Sequence, residues 1–212
     1  MSRRTQGRAE KCPRNVTTFR CNVSDVKSVE TAFIEKNCGG TDILVNNAGI
    51  VKYVKIFEDG PNVASDLNQV VQTNLMCSVW CAREAFKSLT KRKAYGHIVN
   101  MNSVVEHHVT FTGGDLPAYN IYPATKYGIT ATTEVIQELL LLNNDKIRFS
   151  SISPGLTKTD ILDAGNYDAD KIYKELPSLI ADDISNAVMF VLSVPLHVQI
   201  AEVTIKPQGE RF

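Results

Sequence analysis

The stretch AYNIYPATKYGITATTEVIQELL, Ala118–Leu140, predicts a long helix with a well-defined start. Pro123 suits the first turn of a helix, where its missing N–H is no loss and its φ is already set. From there, apolar residues recur at intervals of three and four, which indicates an amphipathic helix that runs to about Leu142. Tyr122 and Lys126 then lie on one face of this helix, one turn apart.

The spacing of Tyr122 and Lys126 suits proton transfer at a carbonyl or alcohol oxygen. A nearby ammonium and the positive end of the helix dipole both favour the phenolate, so we expect the pKa of Tyr122 to fall. A tyrosine tuned in this way can give or take a proton at working pH. The pair also fits a tyrosine that packs at a helix start and a solvated lysine, so a catalytic interpretation needs further residues.

The composition is that of a single globular domain, which we assign to residues 1–212. The chain has 23 basic and 23 acidic residues and no net charge, so we expect no nucleic-acid partner. No apolar run approaches the ~18 residues of a membrane span. Five scattered cysteines, with no Cys-x-x-Cys motif and no clustered ligands, favour a reduced cytoplasmic compartment and no metal site.

Short apolar strands alternate with longer amphipathic helices along the chain. This alternation predicts an α/β fold in which a parallel sheet is covered on both faces. The predicted strands are Val16–Asn22, Asp42–Asn46, His97–Met101, Ile147–Ile152 and Val198–Ile205. The predicted helices are Asp25–Lys36 (ended by Gly39-Gly40), Ala64–Thr90, Tyr122–Leu142 and Asp182–Ser193.

Three of the predicted strands are followed by polar or glycine-containing exits. These exits read NNAG at 46–49, NS at 102–103 and SPG at 153–155. Ligands of open parallel sheets bind at the carboxyl ends of the strands, so we expect the three exits to share one rim. The helix that begins at Tyr122 follows the second exit and can bring Tyr122 to the same rim.

The motifs occur in an order that resembles the short-chain dehydrogenase/reductase family. The ordered set is Asn46-Asn47-Ala48-Gly49, Asn74, Ser103, Tyr122 with Lys126, and Pro154-Gly155 with Thr159. The resemblance covers essentially the whole chain. The segments GHIVNMNSV, YPATKYGITATTE and SISPGLTKT narrow it to the insect farnesol dehydrogenase-like and dehydrogenase/reductase member 11 group. It implies a Rossmann-like, doubly wound parallel sheet.

The resemblance also implies roles for four residues. Tyr122 would be the general acid/base, and Ser103 would hydrogen-bond the reacting oxygen. Lys126 would lower the pKa of Tyr122 and hold the nicotinamide ribose, and Asn74 would hold a water for proton relay. Ordinary structural interpretations stay open, because Ser103 could be a satisfied loop hydroxyl and Asn74 a residue that kinks its helix.

The cofactor contacts that the resemblance implies fall on several segments. Arg3 and Arg4 occupy the position that reads the 2′-phosphate, which favours NADP(H) over NAD(H), although a frayed charged terminus is the alternative. The other implied contacts are Asn22, Val23, Asn46, Ala48, Gly49, Tyr122, Lys126, Pro154, Gly155 and Thr159.

The chain departs from the family pattern at its beginning. The family starts with a strand, a Thr-Gly-x-x-x-Gly-x-Gly turn, a helix and a second strand, and nothing here matches them. We therefore expect a sheet that lacks its first two strands, weakened cofactor binding and unpaired strand edges. The alternative to an active enzyme is an inactive truncated fragment that acts only through subunit pairing or has no function.

The substrate implied by the resemblance is a small hydrophobic alcohol or carbonyl compound that is farnesol-, steroid- or dicarbonyl-like. Asp160–Pro177 would form the lid, and its apolar residues suggest an apolar substrate. They could equally form an ordinary helical face. A complete protein of this kind would be a homodimer or homotetramer.

Overall fold

The described residues form a four-stranded parallel sheet between two layers of helices. The computed structural model describes residues 18–33, 39–109, 121–143 and 146–210. The strands are β1 Ile43–Asn46, β2 Gly96–Met101, β3 Ile147–Pro154 and β4 Glu202–Ile205. They pair in the order β1-β2-β3-β4, and every pairing is parallel. The prediction of an α/β fold with a parallel sheet is confirmed.

Helices occupy the segments between the strands. The helices are α1 Val26–Ala32, α2 Val63–Val71, α3 Cys77–Arg92, α4 Tyr122–Asn143, α5 Ile161–Ala164, α6 Ala169–Glu175 and α7 Ala181–Ser193. A π-helical turn, Gln72–Met76, joins α2 to α3, and a short 3₁₀ turn, Val104–Glu106, follows β2. Among the described residues, no helix is long and apolar enough to cross a membrane.

Alternating residues of the strands bury against opposite helical layers. Ile98 and Phe149 pack with Leu89 of α3 and Leu140 of α4 on one face. The adjacent residues of the two central strands turn to the other face and pack against α7, as the period of two requires. That second cluster consists of Val99, Ile152, Ala187 and Val191. Two covered faces make this a doubly wound sheet.

Two of the predicted strands differ from the observed structure. Within Val16–Asn22, residues 18–22 form no strand, while Val16 and Thr17 lie outside the described residues. A strand needs a hydrogen-bonding neighbour, and among the described residues β2 is the strand that pairs with β1. The predicted last strand begins at Glu202 rather than Val198, because Val198 closes a turn onto Pro195.

The long helix predicted for Ala64–Thr90 is present, with an interruption that the apolar pattern does not reveal. It runs from Val63 to Arg92 through the π-helical turn. A π-helical turn shifts the following residues around the helix axis and often marks a functional site. Asn74 lies in the middle of this turn.

Candidate active site

Asn74 joins the π-helical turn to the loop after β1. It is buried, and its side-chain Oδ1 accepts a hydrogen bond from the Ile50 N–H at 2.8 Å. Its Nδ2 donates to the Ile50 carbonyl at 2.9 Å and to Thr125 Oγ1 at 3.4 Å. The amide therefore fixes the NNAG loop against both the long helix and the first turn of α4.

Replacing Asn74 with alanine is expected to destabilise the fold by about 2–4 kcal/mol, because both backbone groups of Ile50 lose their buried partner. Urea unfolding followed by circular dichroism measures the change. The exposed Gln69→Ala substitution in α2 is the matched control. Equal midpoints for the two variants would show that the Asn74 amide contributes nothing to the loop.

Tyr122 and Lys126 lie in the first turns of α4, as their spacing predicts. The Lys126 side chain is buried, and its Nζ lies 5.5 Å from the centroid of the Tyr122 ring. Nζ donates to the Met101 carbonyl at 2.9 Å, which places the ammonium at the carboxyl end of β2. The alternative of a solvated lysine is therefore wrong.

The burial of Lys126 changes its protonation. Desolvation lowers the pKa of Lys126 to about 8, and the nearby Glu106 carboxylate opposes this shift. An amine with a pKa near 8 changes its charge within a range in which enzymes operate. The residue can therefore hold a positive charge beside Tyr122 at neutral pH and lose it in mild alkali.

Ser103 follows β2 and begins the 3₁₀ turn. Its Oγ accepts a hydrogen bond from the Val105 N–H at 3.4 Å, and its side chain is half-buried. The preceding residue, Asn102, is tied to β3 through its N–H, which donates to the Ile152 carbonyl at 2.7 Å. Ser103 therefore stands two residues beyond the carbonyl that Lys126 contacts, on the same strand exit.

Glu106 is a buried residue of this region that the sequence did not identify. Its carboxylate accepts hydrogen bonds from Asn102 Nδ2, Thr130 Oγ1 and Ser153 Oγ. These donors come from the end of β2, from α4 and from β3. The one sequence signal is Ser103-Val-Val-Glu106, which matches a helix-capping pattern and would have assigned the glutamate to the surface.

His107 extends from Glu106 to the outer edge of the site. Its Nε2 lies 2.7 Å from Glu202 Oε1 and 3.5 Å from Glu106 Oε1. One potential ligand atom from each of these residues lies within 4.8 Å of the others. Because the Glu106 oxygens already accept three hydrogen bonds, we interpret the group as a hydrogen-bonded cluster. His108 is exposed beside it, and both histidines lie outside the helices and strands.

Pro154 and Gly155 end β3 at the same rim. The Gly155 N–H donates to the Ile205 carbonyl at 2.8 Å, and a Cβ built on Gly155 would overlap the Glu210 carboxylate. Glu210 in turn accepts from the Leu156 N–H at 3.2 Å. Close packing against Glu210 therefore explains the glycine without any ligand.

Asn46 ties the end of β1 to its neighbours. Its Nδ2 donates to Asn100 Oδ1 at 2.9 Å and to the Ser78 carbonyl at 3.1 Å. Ala48 is exposed. Among the described atoms, only Asn74 Oδ1 lies within contact range of a Cβ built on Gly49, at 3.8 Å. The described atoms therefore leave room for a Cβ at Gly49, at van der Waals distance from Asn74.

The remaining residues predicted to contact the cofactor form their hydrogen bonds and packing contacts elsewhere in the structure. Asn22 bonds Ser24 and Ser28 of its own segment, and Val23 packs with α1 and α3. Thr159 is exposed, and its N–H donates to Tyr173 Oη at 3.2 Å. Arg3 and Arg4 lie outside the described residues.

The segment predicted as a lid forms α5 and α6, which have a small core of their own. Leu162, Tyr167 and Ile172 bury together with Val51 from the loop after β1, and Tyr122 packs against this cluster. Tyr167 Oη donates to the Lys52 carbonyl at 2.9 Å. These three apolar side chains of the segment are therefore used in packing.

The class of protein follows from this rim and from its relatives. A parallel, doubly wound sheet carries the Asn74, Ser103 and Tyr122/Lys126 motifs in order at its carboxyl end, and residues 2–170 match the family described as short chain dehydrogenase. The chain belongs to the short-chain dehydrogenase/reductase family and is an oxidoreductase of the alcohol dehydrogenase type.

The similar proteins narrow the group within this family. The chain is 40% identical over 195 residues to farnesol dehydrogenase of Aedes aegypti, an alignment that covers 91% of this chain and 75% of the relative. It is 31% identical over 202 residues to dehydrogenase/reductase SDR family member 11 of Homo sapiens, covering 92% and 75% of the two chains. The predicted resemblance to this group is confirmed.

The solved structures share the fold. A closed form of serine dehydrogenase complexed with NADP⁺ superimposes with a TM-score of 0.84 at 24% identity, over 99% of this chain and 83% of that one. An alcohol dehydrogenase from the archaeon Thermococcus sibiricus, complexed with 5-hydroxy-NADP, gives a TM-score of 0.79 at 22% identity, over 98% and 83%.

Proposed function

We propose that this protein interconverts an alcohol and a carbonyl on a small hydrophobic substrate with NADP(H) as the cofactor. The observation that carries the proposal is the buried Lys126 ammonium, which lies beside Tyr122 and contacts the strand exit that leads to Ser103. Burying a charge costs free energy unless the charge is paired and hydrogen-bonded. Its place at the carboxyl end of a parallel sheet is where such folds bind ligands.

Tyr122 is the residue we assign to proton transfer. Its phenol would protonate the carbonyl oxygen during reduction and take the proton from the alcohol during oxidation. Ser103 would donate a hydrogen bond to the same oxygen and stabilise the negative charge that develops there. The Lys126 ammonium would favour the phenolate and hold a ribose hydroxyl, and Asn74 would support a water that carries the proton toward solvent.

Two features of the rim support the fit of a nicotinamide nucleotide. The described atoms around Gly49 come no closer to a built Cβ than 3.8 Å, and Lys126 has three N–H donors, of which one is directed to Met101. The nucleotide supplies or accepts the hydride when it is bound. Asn46, Ala48 and Gly49 would border its adenosine ribose, and Pro154, Gly155 and Thr159 would border its nicotinamide.

The choice of NADP(H) over NAD(H) rests on solved structures of the same fold and on two arginines. Two solved structures of the same fold are described as complexes with NADP⁺ or 5-hydroxy-NADP. Arg3 and Arg4 would contact the 2′-phosphate, and Asn22 and Val23 would lie near the adenine. Because no Thr-Gly-x-x-x-Gly-x-Gly segment occurs in the 212 residues, we expect the affinity for the pyrophosphate to be low.

The substrate class rests on the lid and on the relatives. One relative is named for farnesol, an apolar alcohol. Tyr122 packs against the apolar core of α5 and α6, so a substrate oxygen that reaches Tyr122 would leave its carbon chain against this segment. Half-buried Ile161, Tyr173 and Leu176 are the side chains there that we assign to substrate contact.

A second candidate function, subunit pairing without catalysis, is favoured by one surface of α4. Val135, Leu139 and Leu142 recur at i, i+4 and i+7 and are exposed. An apolar stripe of this kind is typical of a helix that packs against another chain. The same surface would form the homodimer or homotetramer of an active enzyme.

We also assign the protein to the cytoplasm. The Cys77 and Cys81 Sγ atoms lie 3.9 Å apart as hydrogen-bonded free thiols, and Cys21 is also a free thiol. Free thiols are typical of a reducing compartment.

A fluorescence titration with NADPH tests the proposed function. We expect saturable binding at or below about 1 mM, equivalent to about −4 kcal/mol, and weaker binding of NADH. The bound protein should then reduce an apolar aldehyde such as farnesal. Absence of NADPH binding at millimolar concentration, in a sample whose circular dichroism shows a folded protein, would reject the oxidoreductase in favour of the pairing function.

A further inference from the structure

Glu106 occupies a central position beneath the proposed catalytic rim. Its side chain is 1% exposed, which is rare for a glutamate unless it is paired. Asn102, Thr130 and Ser153 all donate to it. An ionised carboxylate is an acceptor only, so three donors match its charged form.

The same hydrogen bonds connect Glu106 to Lys126 through two short routes. Thr130 Oγ1, which contacts the Glu106 carboxylate, also lies 3.2 Å from the backbone carbonyl of Lys126, one helical turn away, so these two acceptors share its single proton. On the strand side, Lys126 Nζ contacts the carbonyl of Met101, the residue before Asn102. The Glu106 carboxylate therefore lies close enough to Lys126 to offset part of the cost of burying the ammonium.

We propose that Glu106 is a positioning residue that keeps Lys126 charged and fixes the strand exit that carries Ser103. The inference rests on the proposed function, because it assigns Glu106 a part in the same reaction. Glu106 acts through Lys126 and the loop and does not touch the substrate itself. Without its charge, the burial of Lys126 would be uncompensated and the ammonium would lose its proton at lower pH.

The charges around Glu106 agree with this role. Burial raises the pKa of Glu106, and the hydrogen bonds from Ser153 and Thr130 oppose that shift. From β4, Glu202 raises the pKa of Glu106 further, while His107 on its own loop lowers it. On α4, the pKa of Lys126 is raised by the Glu106 carboxylate against the larger effect of burial.

The titration of Lys126 in the Glu106→Gln variant tests the proposal without any need for turnover. Lysine-labelled protein is followed by NMR over a pH series, and the Lys126→Arg variant identifies the signal. We expect a midpoint near pH 8 in the wild type and a midpoint about 1 unit lower in Glu106→Gln. Glu134→Gln, an exposed substitution on α4, is the control and should leave the midpoint in place.

A second variant keeps the test decisive if Glu106→Gln fails to fold. Ser153→Ala removes one donor to Glu106, so less of the carboxylate is ionised and the Lys126 midpoint should again fall. An unmoved midpoint in whichever variant folds would overturn the proposal, since a purely structural glutamate would leave Lys126 unchanged. A lowered midpoint in a protein that binds no NADPH would support the charge pairing and reject only the proposed function.

Discussion

The Tyr122→Phe variant is expected to lose turnover by a factor of about 10²–10⁴ while keeping its affinity for NADPH. The substitution removes one oxygen and leaves the ring that packs against the core of α5 and α6. Proton transfer to the substrate oxygen then has no donor, whereas all contacts that we assign to the cofactor other than the Tyr122 hydroxyl stay in place. Steady-state kinetics with farnesal and a fluorescence titration measure the two quantities separately.

Tyr127→Phe is the matched control for this prediction. Tyr127 is exposed on the same helix and lies five residues further along. Its loss should leave both turnover and binding unchanged. Equal turnover in the Tyr122→Phe variant and the wild type would remove Tyr122 from the role of acid and base.

The Lys126→Met variant is expected to show two opposite effects. Turnover should fall by a factor of about 10² or more, because the ammonium beside Tyr122 is lost. The free energy of unfolding near pH 7 should instead rise by about 2 kcal/mol. Burial lowers the pKa of Lys126 from 10.5 to about 8, equivalent to about 3 kcal/mol, and the lost hydrogen bond to Met101 offsets about 1 kcal/mol of that gain.

The difference in the free energy of unfolding between Lys126→Met and the wild type should shrink as the pH rises. The pKa of Lys126 is lower in the folded state, so the unfolded wild type binds more protons and its stability rises between about pH 8 and 10.5. The advantage of Lys126→Met should therefore shrink across this range. Urea unfolding at several pH values measures it, with exposed Lys27→Met as the control. A gap that stays constant or widens with pH would contradict the assignment.

Much of the fold follows from local pattern. The amphipathic spacing after Pro123 predicts α4 almost to its observed end. Residues that are close in sequence determine both its first turn and its apolar periodicity. The predicted strand Val16–Asn22 shows the limit of such patterns. An apolar segment becomes a strand when another strand pairs with it, and this depends on distant parts of the chain.

The residues of the candidate site are likewise only partly predictable from local sequence. Ser103, Tyr122 and Lys126 stand in a recognisable order, and the structure brings the exits that carry them to one end of the sheet. Glu106 could not be found in this way, since its burial depends on Thr130 and Ser153, which are 24 and 47 residues away in sequence. The π-helical turn at Asn74 is likewise set by the side-chain bonds to Ile50.

The most direct test of the account is the transfer of deuterium from the nicotinamide to a carbonyl carbon. The protein is incubated with farnesal and NADPH labelled at C4, using each stereoisomer of the label in turn, and the alcohol is analysed by mass spectrometry. We predict one deuterium on the carbinol carbon with one of the two stereoisomers, and none above background for Tyr122→Phe. An unlabelled product with both stereoisomers, or no product under conditions in which NADPH is bound, would contradict the oxidoreductase assigned to this site.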